Sequence, residues 1–373
     1  MTASQRKKVL ISGASFAGLT SAYFMHRLGF DVTVVEIAPQ LRKGGTPVNI
    51  RDHTIEIVKQ MGIFDAVRAN RLDLRQWDFK NADDHTERRM VVRAEDEPQG
   101  EDEYEIERDI LMQILYRAVS DDCKIVFGDA IVALTETDLV NVTFKHGESR
   151  QFDLLLGCDG MHSRVRELCF GPESQYMHFL EQYFSISIVD KLLIPRDTAQ
   201  MFNVPGKVIM LSAYKNKTDI IFGFMSDTEI AYDYRDETQQ RRIVVDQFQN
   251  IGWRAADMVS EMEQADNFYF DKLCQIRMPA WSRGRIALVG DAAYCPSPGA
   301  GRGGSLAIDG AAALGRAMAA ANGDHALAFR RYDEQFRPFI EQVQADAART
   351  VRESLIPRTA EDIRARNARD IMF

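Results

Sequence analysis

The chain has 373 residues, of which 45% are hydrophobic and 27% charged, as in ordinary globular proteins. This length predicts two domains, or one nucleotide-binding domain that carries an insertion. A formal net charge of −9 argues against a nucleic-acid partner and against stable binding to an anionic membrane, because both require a basic surface. The five cysteines are odd in number and form no CxxC spacing, so we expect a cytoplasmic protein without a disulfide framework or a metal site.

The N-terminal segment predicts a β-α-β unit of the size that nucleotide-binding proteins use. A strand over 8–12 is followed by a glycine turn, by a helix that ends near Gly29, and by a second strand that ends at Glu36. Gly13 permits a tight turn, Gly18 allows the helix to pack on the strand, and the free N–H groups of the helix would bind a pyrophosphate. Glu36, about 20 residues further on, is expected to accept hydrogen bonds from an adenosine ribose.

Ser15 stands where the usual dinucleotide-binding pattern has its middle glycine, which narrows the space for a phosphate. Alone, such a pattern leaves open a glycine turn in some other α/β protein. The strand before it, the helix after it and the acid at the expected spacing favour nucleotide binding. The expected cofactor contacts in this region are Gly13, Ser15, Phe16, Ala17, Gly18, Glu36, Arg42 and Lys43.

Downstream of this unit, predicted helices and strands alternate. Helices are expected over 54–69 and from Arg108 onward, separated by a polar stretch over 80–103. After Pro172, apolar runs with β-branched and aromatic residues predict an open sheet. A strand near 285–291 again resembles a nucleotide-domain strand, so a β-rich segment interrupts the nucleotide-binding fold. The remaining expected elements are strands at 124–127, 141–144, 152–157, 181–190, 207–214, 218–226 and 268–278, and helices at 236–250, 254–264, 304–320, 324–353 and 359–371.

Two further motifs follow apolar strands. Residues 158–166 read Cys-Asp-Gly-Met-His-Ser-Arg-Val-Arg, and residues 290–304 read Gly-Asp-Ala-Ala-Tyr-Cys-Pro-Ser-Pro-Gly-Ala-Gly-Arg-Gly-Gly. The glycines from 299 to 304 would let the backbone approach a planar ring, and a helix expected from about Ser305 would stabilise negative charge at its N-terminus. The alternative interpretation of residues 299–304 is a glycine-rich surface turn. A P-loop is excluded, because no Lys-Ser or Lys-Thr pair follows.

In this order and at these separations, the three motifs resemble those of the single-component flavoprotein aromatic hydroxylases, the family of p-hydroxybenzoate hydroxylase. The resemblance extends over nearly the whole chain. Within that family the sequence looks nearest to the tetracycline-inactivating monooxygenases. The residues that carry this likeness are 42–45, Val48, Ile50, Arg51, 271–277 and 290–298.

The resemblance implies an α/β fold with a Rossmann-like FAD-binding domain, an inserted β-sheet-rich substrate domain and C-terminal helices. The implied parts are FAD-binding segments at 1–75, 104–175 and 279–330, an excursion into the substrate domain at 76–103, the β-rich substrate domain at 176–278, and C-terminal helices at 331–373. The inserted sheet would form the roof of a substrate pocket. Its candidate lining residues, for each of which core packing is the alternative, are Phe184, Ser187, Met210, Tyr214, Phe222, Phe224 and Met225.

The resemblance also implies FAD as the cofactor and NAD(P)H, with NADPH preferred, as a transient reductant. Asp159 and Gly160 would contact FAD and assist NAD(P)H. Asp291 would hold the FAD ribitol and phosphate, and Arg108 would lie near the flavin chain. The further expected FAD contacts are Gly290, Pro298, Gly301, Arg302, Gly303 and Gly304.

In such enzymes NAD(P)H reduces FAD, O2 adds to flavin C4a, and the hydroperoxide so formed transfers oxygen to the substrate. The resemblance therefore implies hydroxylation of an aromatic or enolic small molecule of polyketide or tetracycline type. No catalytic side chain is expected, because the flavin performs the chemistry while the protein orients the substrate and excludes water. No second GxGxxG motif is visible, so we expect NAD(P)H to bind without a domain of its own.

The sequence departs from the family pattern at one position, and it is also compatible with two other functions. Gly301-Arg302-Gly303 stands where family members commonly have Gly-Gln-Gly, and Arg302 either adds positive charge near the flavin or turns outward. An FAD-dependent oxidase is one alternative, because the first motif is shared widely among FAD proteins. A flavin- or ligand-binding protein that has lost turnover is the other. A halogenase is disfavoured, because its Trp-x-Trp-x-Ile-Pro segment is missing from the sequence.

Overall fold

The computed structural model describes residues 6–94, 97 and 99–369. We name its helices and strands in chain order. The helices are α1 (Phe16–Arg27), α2 (His53–Gln60), α3 (Phe64–Ala69), α4 (Arg108–Arg117), α5 (Arg164–Phe170), α6 (Glu237–Phe248), α7 (Ala255–Gln264), α8 (Asp291–Tyr294), α9 (Gly303–Ala320), α10 (His325–Thr350) and α11 (Ala360–Asn367). The strands are β1 (Lys8–Ser12), β2 (Asp31–Glu36), β3 (Val48–Arg51), β4 (Gln76–Lys80), β5 (Thr86–Val91), β6 (Glu103–Ile106), β7 (Lys124–Phe127), β8 (Ile131–Glu136), β9 (Val140–Phe144), β10 (Ser149–Phe152), β11 (Leu154–Gly157), β12 (Met177–Val189), β13 (Thr198–Val204), β14 (Lys207–Tyr214), β15 (Lys217–Met225), β16 (Tyr269–Ile276), β17 (Ser282–Arg283) and β18 (Ile286–Leu288).

A six-stranded sheet carries the N-terminal motif near its centre. Its order is β17-β18-β11-β1-β2-β7, and neighbouring strands are parallel except for the antiparallel edge strand β17. β1 and β11 are apolar and almost completely buried, which is typical of central strands in a parallel sheet. Since parallel strands end at the same edge, the segments that follow β1, β11 and β18 lie side by side there. These segments begin the three sequence motifs.

A seven-stranded sheet forms the β-rich part of the chain. Its order is β16-β12-β15-β14-β13-β4-β5, and its neighbours are antiparallel except for β13 and β4. One face packs on α6 and α7 around Phe222, Phe224 and Phe248. The opposite face packs on the segment after α10 through Val351 and Ile356. Each central strand therefore alternates between two apolar faces, and the second of these faces is turned towards the three motifs.

The C-terminal helices connect the two sheets. α9 packs against α1, and the chain after α10 runs along the loop that contains Gly299. Val351 occupies the space that a side chain at Gly299 would need, and Ile356 packs on Gly223 of β15. None of the described helices is long and apolar enough to cross a bilayer.

The predicted fold class is confirmed, since an α/β core carries an inserted sheet and C-terminal helices. The helix predicted over 54–69 is wrong in one respect, because Gly62, with φ of +73°, separates α2 from α3. The sequence predicts neither β13 nor β5, and β5 is a mostly polar edge strand inside the stretch 80–103. The end of the helix predicted over 359–371 lies outside the described residues. The domain boundaries stay a prediction.

Candidate functional site

The turn between β1 and α1 requires glycine at both ends. At Gly13, φ is +102°, and a Cβ would lie 2.5 Å from the carbonyl oxygen of Cys158. A Cβ on Gly18 would overlap the carbonyl oxygen of Gly13. Backbone packing thus fixes both positions, and the start of α1 lies at the edge where the three motifs meet.

Ser15, in place of the middle glycine, is the N-cap of α1. Its Oγ accepts a hydrogen bond from Gly18 N at 3.2 Å and donates one to the carbonyl oxygen of Cys158 at 2.9 Å. Serine at this position therefore joins the first motif to the second, in addition to occupying space.

Replacing Ser15 with alanine removes both hydrogen bonds, and we expect the free energy of unfolding to fall by about 1 kcal/mol, as at other helix N-caps. Ser15→Gly is the matched variant and is expected to cost only a few tenths of that, because glycine is tolerated at N-caps. Urea denaturation of the three proteins measures both differences. An alanine variant as stable as the wild type would show that the cap contributes nothing.

Glu36 ends β2 and supports the same turn. The side chain is 7% exposed, its Oε2 accepts a hydrogen bond from Ala14 N at 2.9 Å, and its Oε1 accepts one from Ala38 N at 3.0 Å. Arg42 Nε lies 3.6 Å from Oε1. A carboxylate has about four acceptor sites, so Glu36 keeps capacity for a further donor such as a ribose hydroxyl.

A cavity of about 330 Å³ lies next to Glu36, between the segment after β2 and α4. Arg42, which pairs with Glu36, lines it together with Lys43, Met112 and Tyr116. The predicted cofactor contacts Arg42 and Lys43 therefore lie at one cavity. Its apolar wall and charged rim suit the adenosine end of a dinucleotide.

Arg108 begins α4, as predicted, and lies between the first turn and the loop after β2. Its Nη1 donates to the carbonyl oxygen of Gly44 at 3.2 Å, and its guanidinium lies 5.3 Å from the centre of the Phe16 ring. A Cβ on Gly45 would lie 2.8 Å from Arg108 Cδ, so glycine at this position leaves room for the arginine. In the part of the chain that the structure describes, no carboxylate forms an ion pair with Arg108.

Electrostatic interactions place Arg108 and Asp291 on the same site. Burial lowers the pKa of Arg108 and Arg42 lowers it further, whereas Asp109 and Asp291 oppose this shift. Burial raises the pKa of Asp291, while a hydrogen bond with Cys295 and the charge of Arg108 oppose it. A largely buried guanidinium that forms no ion pair with the described residues is a suitable partner for an anionic ligand.

The second motif shapes a turn at the same edge. Asp159 accepts hydrogen bonds from Ser163 Oγ at one oxygen and from Val165 N, at 3.1 Å, at the other. Gly160 has φ of +83°, and a Cβ there would meet no atom within 4 Å. Both oxygens of Asp159 thus support the start of α5, and the open side of the turn is at Gly160. The contact of these residues with FAD stays a prediction.

The third motif packs on the first. At Gly290, φ is +69°, and a Cβ would lie 3.0 Å from Ala17 Cβ in the first turn of α1. A Cβ on Gly304, in the first turn of α9, would lie 3.1 Å from Val48 Cγ1. Glycine at these positions allows α1, α8 and α9 to begin close together, so their N-termini lie in one region.

The loop before α9 is open at its tip. Pro298 is exposed, and a Cβ on Gly301 or Gly303 would meet no atom within 4 Å. Arg302, between these glycines, forms an ion pair with Asp52, and its side chain is 18% exposed. Its charge is therefore balanced within the protein, and the space beside the two glycines is open. The contact of this loop with FAD stays a prediction.

Four side chains predicted to line a substrate pocket lie on the face of the seven-stranded sheet that is turned towards the three motifs. They are Phe184, Met210, Tyr214 and Met225. Tyr214 Oη donates to Asp219 on the same face, at 2.8 Å. Their contact with a substrate stays a prediction.

The other three predicted pocket residues lie on the opposite face, where core packing, the alternative for each of them, accounts for their burial. Phe222 and Phe224 are at most 1% exposed and pack on Phe248 of α6. Ser187 is 1% exposed and pairs with Ile220, which belongs to the same layer. The physical reason is strand alternation, because neighbouring residues of a strand point to opposite faces.

His162, within the second motif, bridges the two sheets, and sequence reasoning does not predict this bridge. Its Nε2 lies 3.4 Å from Asp271 Oδ2 in β16, and its Nδ1 lies 3.0 Å from Glu173 Oε1. The hydrogen bond with Asp271, followed by that with Glu173, raises the pKa of His162 to about 9. Glu173 also pairs with the buried Arg166 at 2.8 Å. No local sequence pattern could predict this bridge, because Asp271 lies 109 residues further along the chain than His162.

Stability is expected to decrease at alkaline pH because of this bridge. The pKa of His162 rises from 6.5 to about 9 on folding, so its stabilisation is complete below the lower value and is lost as the pH rises through the upper one. The difference in urea midpoint between wild type and His162→Gln should be larger near pH ~6 than near pH ~10. We expect a modest effect, because the histidine side chain is 51% exposed. A difference that does not change with pH would contradict the assignment.

Comparison with known proteins finds relatives over almost the entire chain. Residues 6–347 match the family model described as FAD binding domain. A flavin-dependent monooxygenase from an unknown prokaryotic organism is 35% identical over 372 residues, which cover 97% of this chain and 94% of that protein. An uncharacterized protein of Mycobacterium tuberculosis strain H37Rv is 38% identical over 347 residues, covering 91% and 92% of the two chains. The crystal structure of tetracycline destructase Tet(55) superposes with a TM-score of 0.86 at 34% identity, covering 97% of this chain and 94% of that one.

Proposed function

We propose that this chain uses NAD(P)H and O2 to hydroxylate an aromatic or enolic small molecule. The premise is that the chain belongs to the FAD binding domain family and is a flavin-dependent monooxygenase. The observation that carries the proposal is the meeting of the three motifs at one edge of the six-stranded sheet, where Arg108 lies near Phe16 of the first motif and Asp291 of the third. Similarity to a tetracycline destructase over 97% of the chain supports an enolic, polycyclic substrate.

The residues at the sheet edge fit FAD. The start of α1 and the guanidinium of Arg108 would bind the pyrophosphate, and Glu36 would bind the adenosine ribose. The cavity at Arg42 would take the adenine, and Asp291 would hold the ribitol chain. Bound FAD, once reduced by NAD(P)H, supplies the activation of O2 that side chains cannot provide.

The chain itself has to orient the substrate and keep water away from it. Phe184, Met210 and Met225 would form an apolar roof, because they lie on the face of the seven-stranded sheet that is turned towards the three motifs. We also propose a cytoplasmic location, because the five cysteines are buried and free, as in proteins of a reducing compartment.

A turnover assay on the purified holoenzyme tests the function. NADPH oxidation is followed with and without a panel of phenols, anthraquinones and tetracyclines, in buffer equilibrated with isotopically labelled O2. We expect one or more panel members to stimulate oxidation and to gain one labelled oxygen atom. Hydrogen peroxide released from an amine without NADPH would indicate an oxidase instead. Bound FAD with no turnover under any condition would indicate a ligand-binding protein.

A further inference from the structure

Asp271, in β16, is a buried carboxylate surrounded by hydrogen-bond donors. Its Oδ1 accepts from Tyr232 Oη at 3.0 Å and from Lys272 N at 2.8 Å. Its Oδ2 accepts from Tyr269 Oη at 2.9 Å, and His162 Nε2 lies 3.4 Å from the same oxygen. The residue is 5% exposed. These donors fill the approximately four acceptor sites of a carboxylate, so Asp271 has no site left for a ligand.

The surroundings of Asp271 also keep it ionised. Burial alone would raise the pKa of Asp271, but the hydrogen bond and charge of His162, together with the hydroxyl of Tyr269, outweigh it and lower the pKa. His162 carries a proton at neutral pH, since its own pKa is raised to about 9 by Asp271 and Glu173. The proton of Tyr269 is therefore directed at Asp271, and the oxygen of Tyr269 has only acceptor capacity left.

Tyr269, the first residue of β16, lies with Asp271 on the face of the seven-stranded sheet that is turned towards the three motifs. The residue is 47% exposed, although burial raises the pKa of its hydroxyl well above the ordinary value. The side chain is therefore accessible to a ligand. Its ring centre is 5.5 Å from that of Phe184, and its hydroxyl interacts electrostatically with Asp291 and Arg108. Tyr269 thus lies on the side of the sheet where the second and third motifs are found.

We propose that Tyr269 determines substrate specificity by accepting a hydrogen bond from a phenolic or enolic O–H group of the substrate. This role rests on the proposed function and deepens it, because it selects among aromatic and enolic molecules those that present a donor. An O-methylated ring has no donor, and its oxygen would face the Tyr269 oxygen with neither satisfied. Asp271 and His162 are positioning residues, which fix the direction of the Tyr269 proton without contacting the substrate.

A double-mutant-type cycle on the holoenzyme tests the role of Tyr269. The probes are emodin, a trihydroxyanthraquinone, and its trimethyl ether, and binding is followed by the change in flavin fluorescence. We expect Tyr269→Phe to weaken emodin binding by about 5–30-fold and to leave the ether within about 2-fold. Because each probe is compared between the wild type and the variant, the effect of the additional methyl groups on affinity cancels. Tyr232→Phe, which removes the other tyrosine donor to Asp271, is the control and should affect both probes equally.

Asp271→Asn separates the positioning role from simple packing. The asparagine amide can donate to the Tyr269 oxygen, which frees the tyrosine proton to turn towards the ligand. The preference for emodin over its ether should then shrink or invert, while the flavin content stays that of the wild type. Equal loss of both probes in Tyr269→Phe would overturn the proposal. An unchanged preference in folded, flavin-containing Asp271→Asn would overturn it as well.

Failure of the proposed function would give a different pattern. If neither anthraquinone changes the flavin fluorescence and no phenol, anthraquinone or tetracycline stimulates NADPH oxidation, the proposed function fails and the role of Tyr269 with it. If both probes bind and stimulate oxidation but Tyr269→Phe changes the affinity for both by the same factor, only the assignment of Tyr269 fails.

Discussion

Replacing Gly18 with alanine is expected to abolish FAD binding. The new Cβ would overlap the carbonyl oxygen of Gly13, and the Gly13 backbone is held by a hydrogen bond from its N–H to Val35 O at 2.7 Å. The turn must therefore open, which displaces the N–H groups that would bind the pyrophosphate. We expect the purified variant to retain less than about a tenth of the wild-type flavin, because a misplaced phosphate site loses most of its binding energy. The ratio of flavin to protein absorbance measures this content.

Gly100→Ala is the matched control for this substitution. A Cβ at Gly100 would meet no atom within 4 Å, and φ there is not in the left-handed region. Both variants gain one methyl group, and only Gly18→Ala should lose flavin. A Gly18→Ala protein that keeps its full flavin content would show that the turn is not the pyrophosphate site. Flavin loss in both variants would indicate general instability instead.

The features that could be predicted from the sequence are those set by neighbours along the chain. Gly13, Gly18 and Glu36 belong to one β-α-β unit, whose geometry fixes their spacing. The second and third motifs each follow a buried parallel strand, so their meeting at one sheet edge also follows from local position. Arg108 as the first residue of α4 follows from helix periodicity.

The features that could not be predicted depend on contacts between distant segments. Phe222 and Phe224 resemble pocket residues in the sequence, because both faces of the seven-stranded sheet are covered by apolar partners. The ion pair of Arg302 joins it to a residue 250 positions away. The proposed acceptor role of Tyr269 depends on His162, which reaches Asp271 from the turn between β11 and α5. Local patterns carry no information on such pairings, which packing of the whole chain decides.

Replacing Arg108 with methionine is expected to weaken FAD binding by about 10–100-fold, the range for losing charge-assisted hydrogen bonds to a phosphate. Methionine keeps much of the side-chain length and removes the charge. The FAD affinity of Arg108→Lys should lie between those of the wild type and Arg108→Met, because an ammonium keeps the charge without the planar pair of donors. Titration of FAD into flavin-depleted protein at constant ionic strength measures the affinities, since salt screens such contacts.

The same substitution should leave the flavin-depleted protein as stable as the wild type or slightly more stable. Burial lowers the pKa of Arg108, so in the absence of an anion its charge opposes folding instead of supporting it. Arg89→Met is the control, because this substitution removes the same charge at a distant position. Arg89 is 55% exposed and pairs with Asp78 at 2.8 Å on the seven-stranded sheet. It should leave FAD affinity unchanged. Lower stability of flavin-depleted Arg108→Met with unchanged FAD affinity would make Arg108 a structural residue, whereas weaker FAD binding with unchanged stability would make it a cofactor ligand.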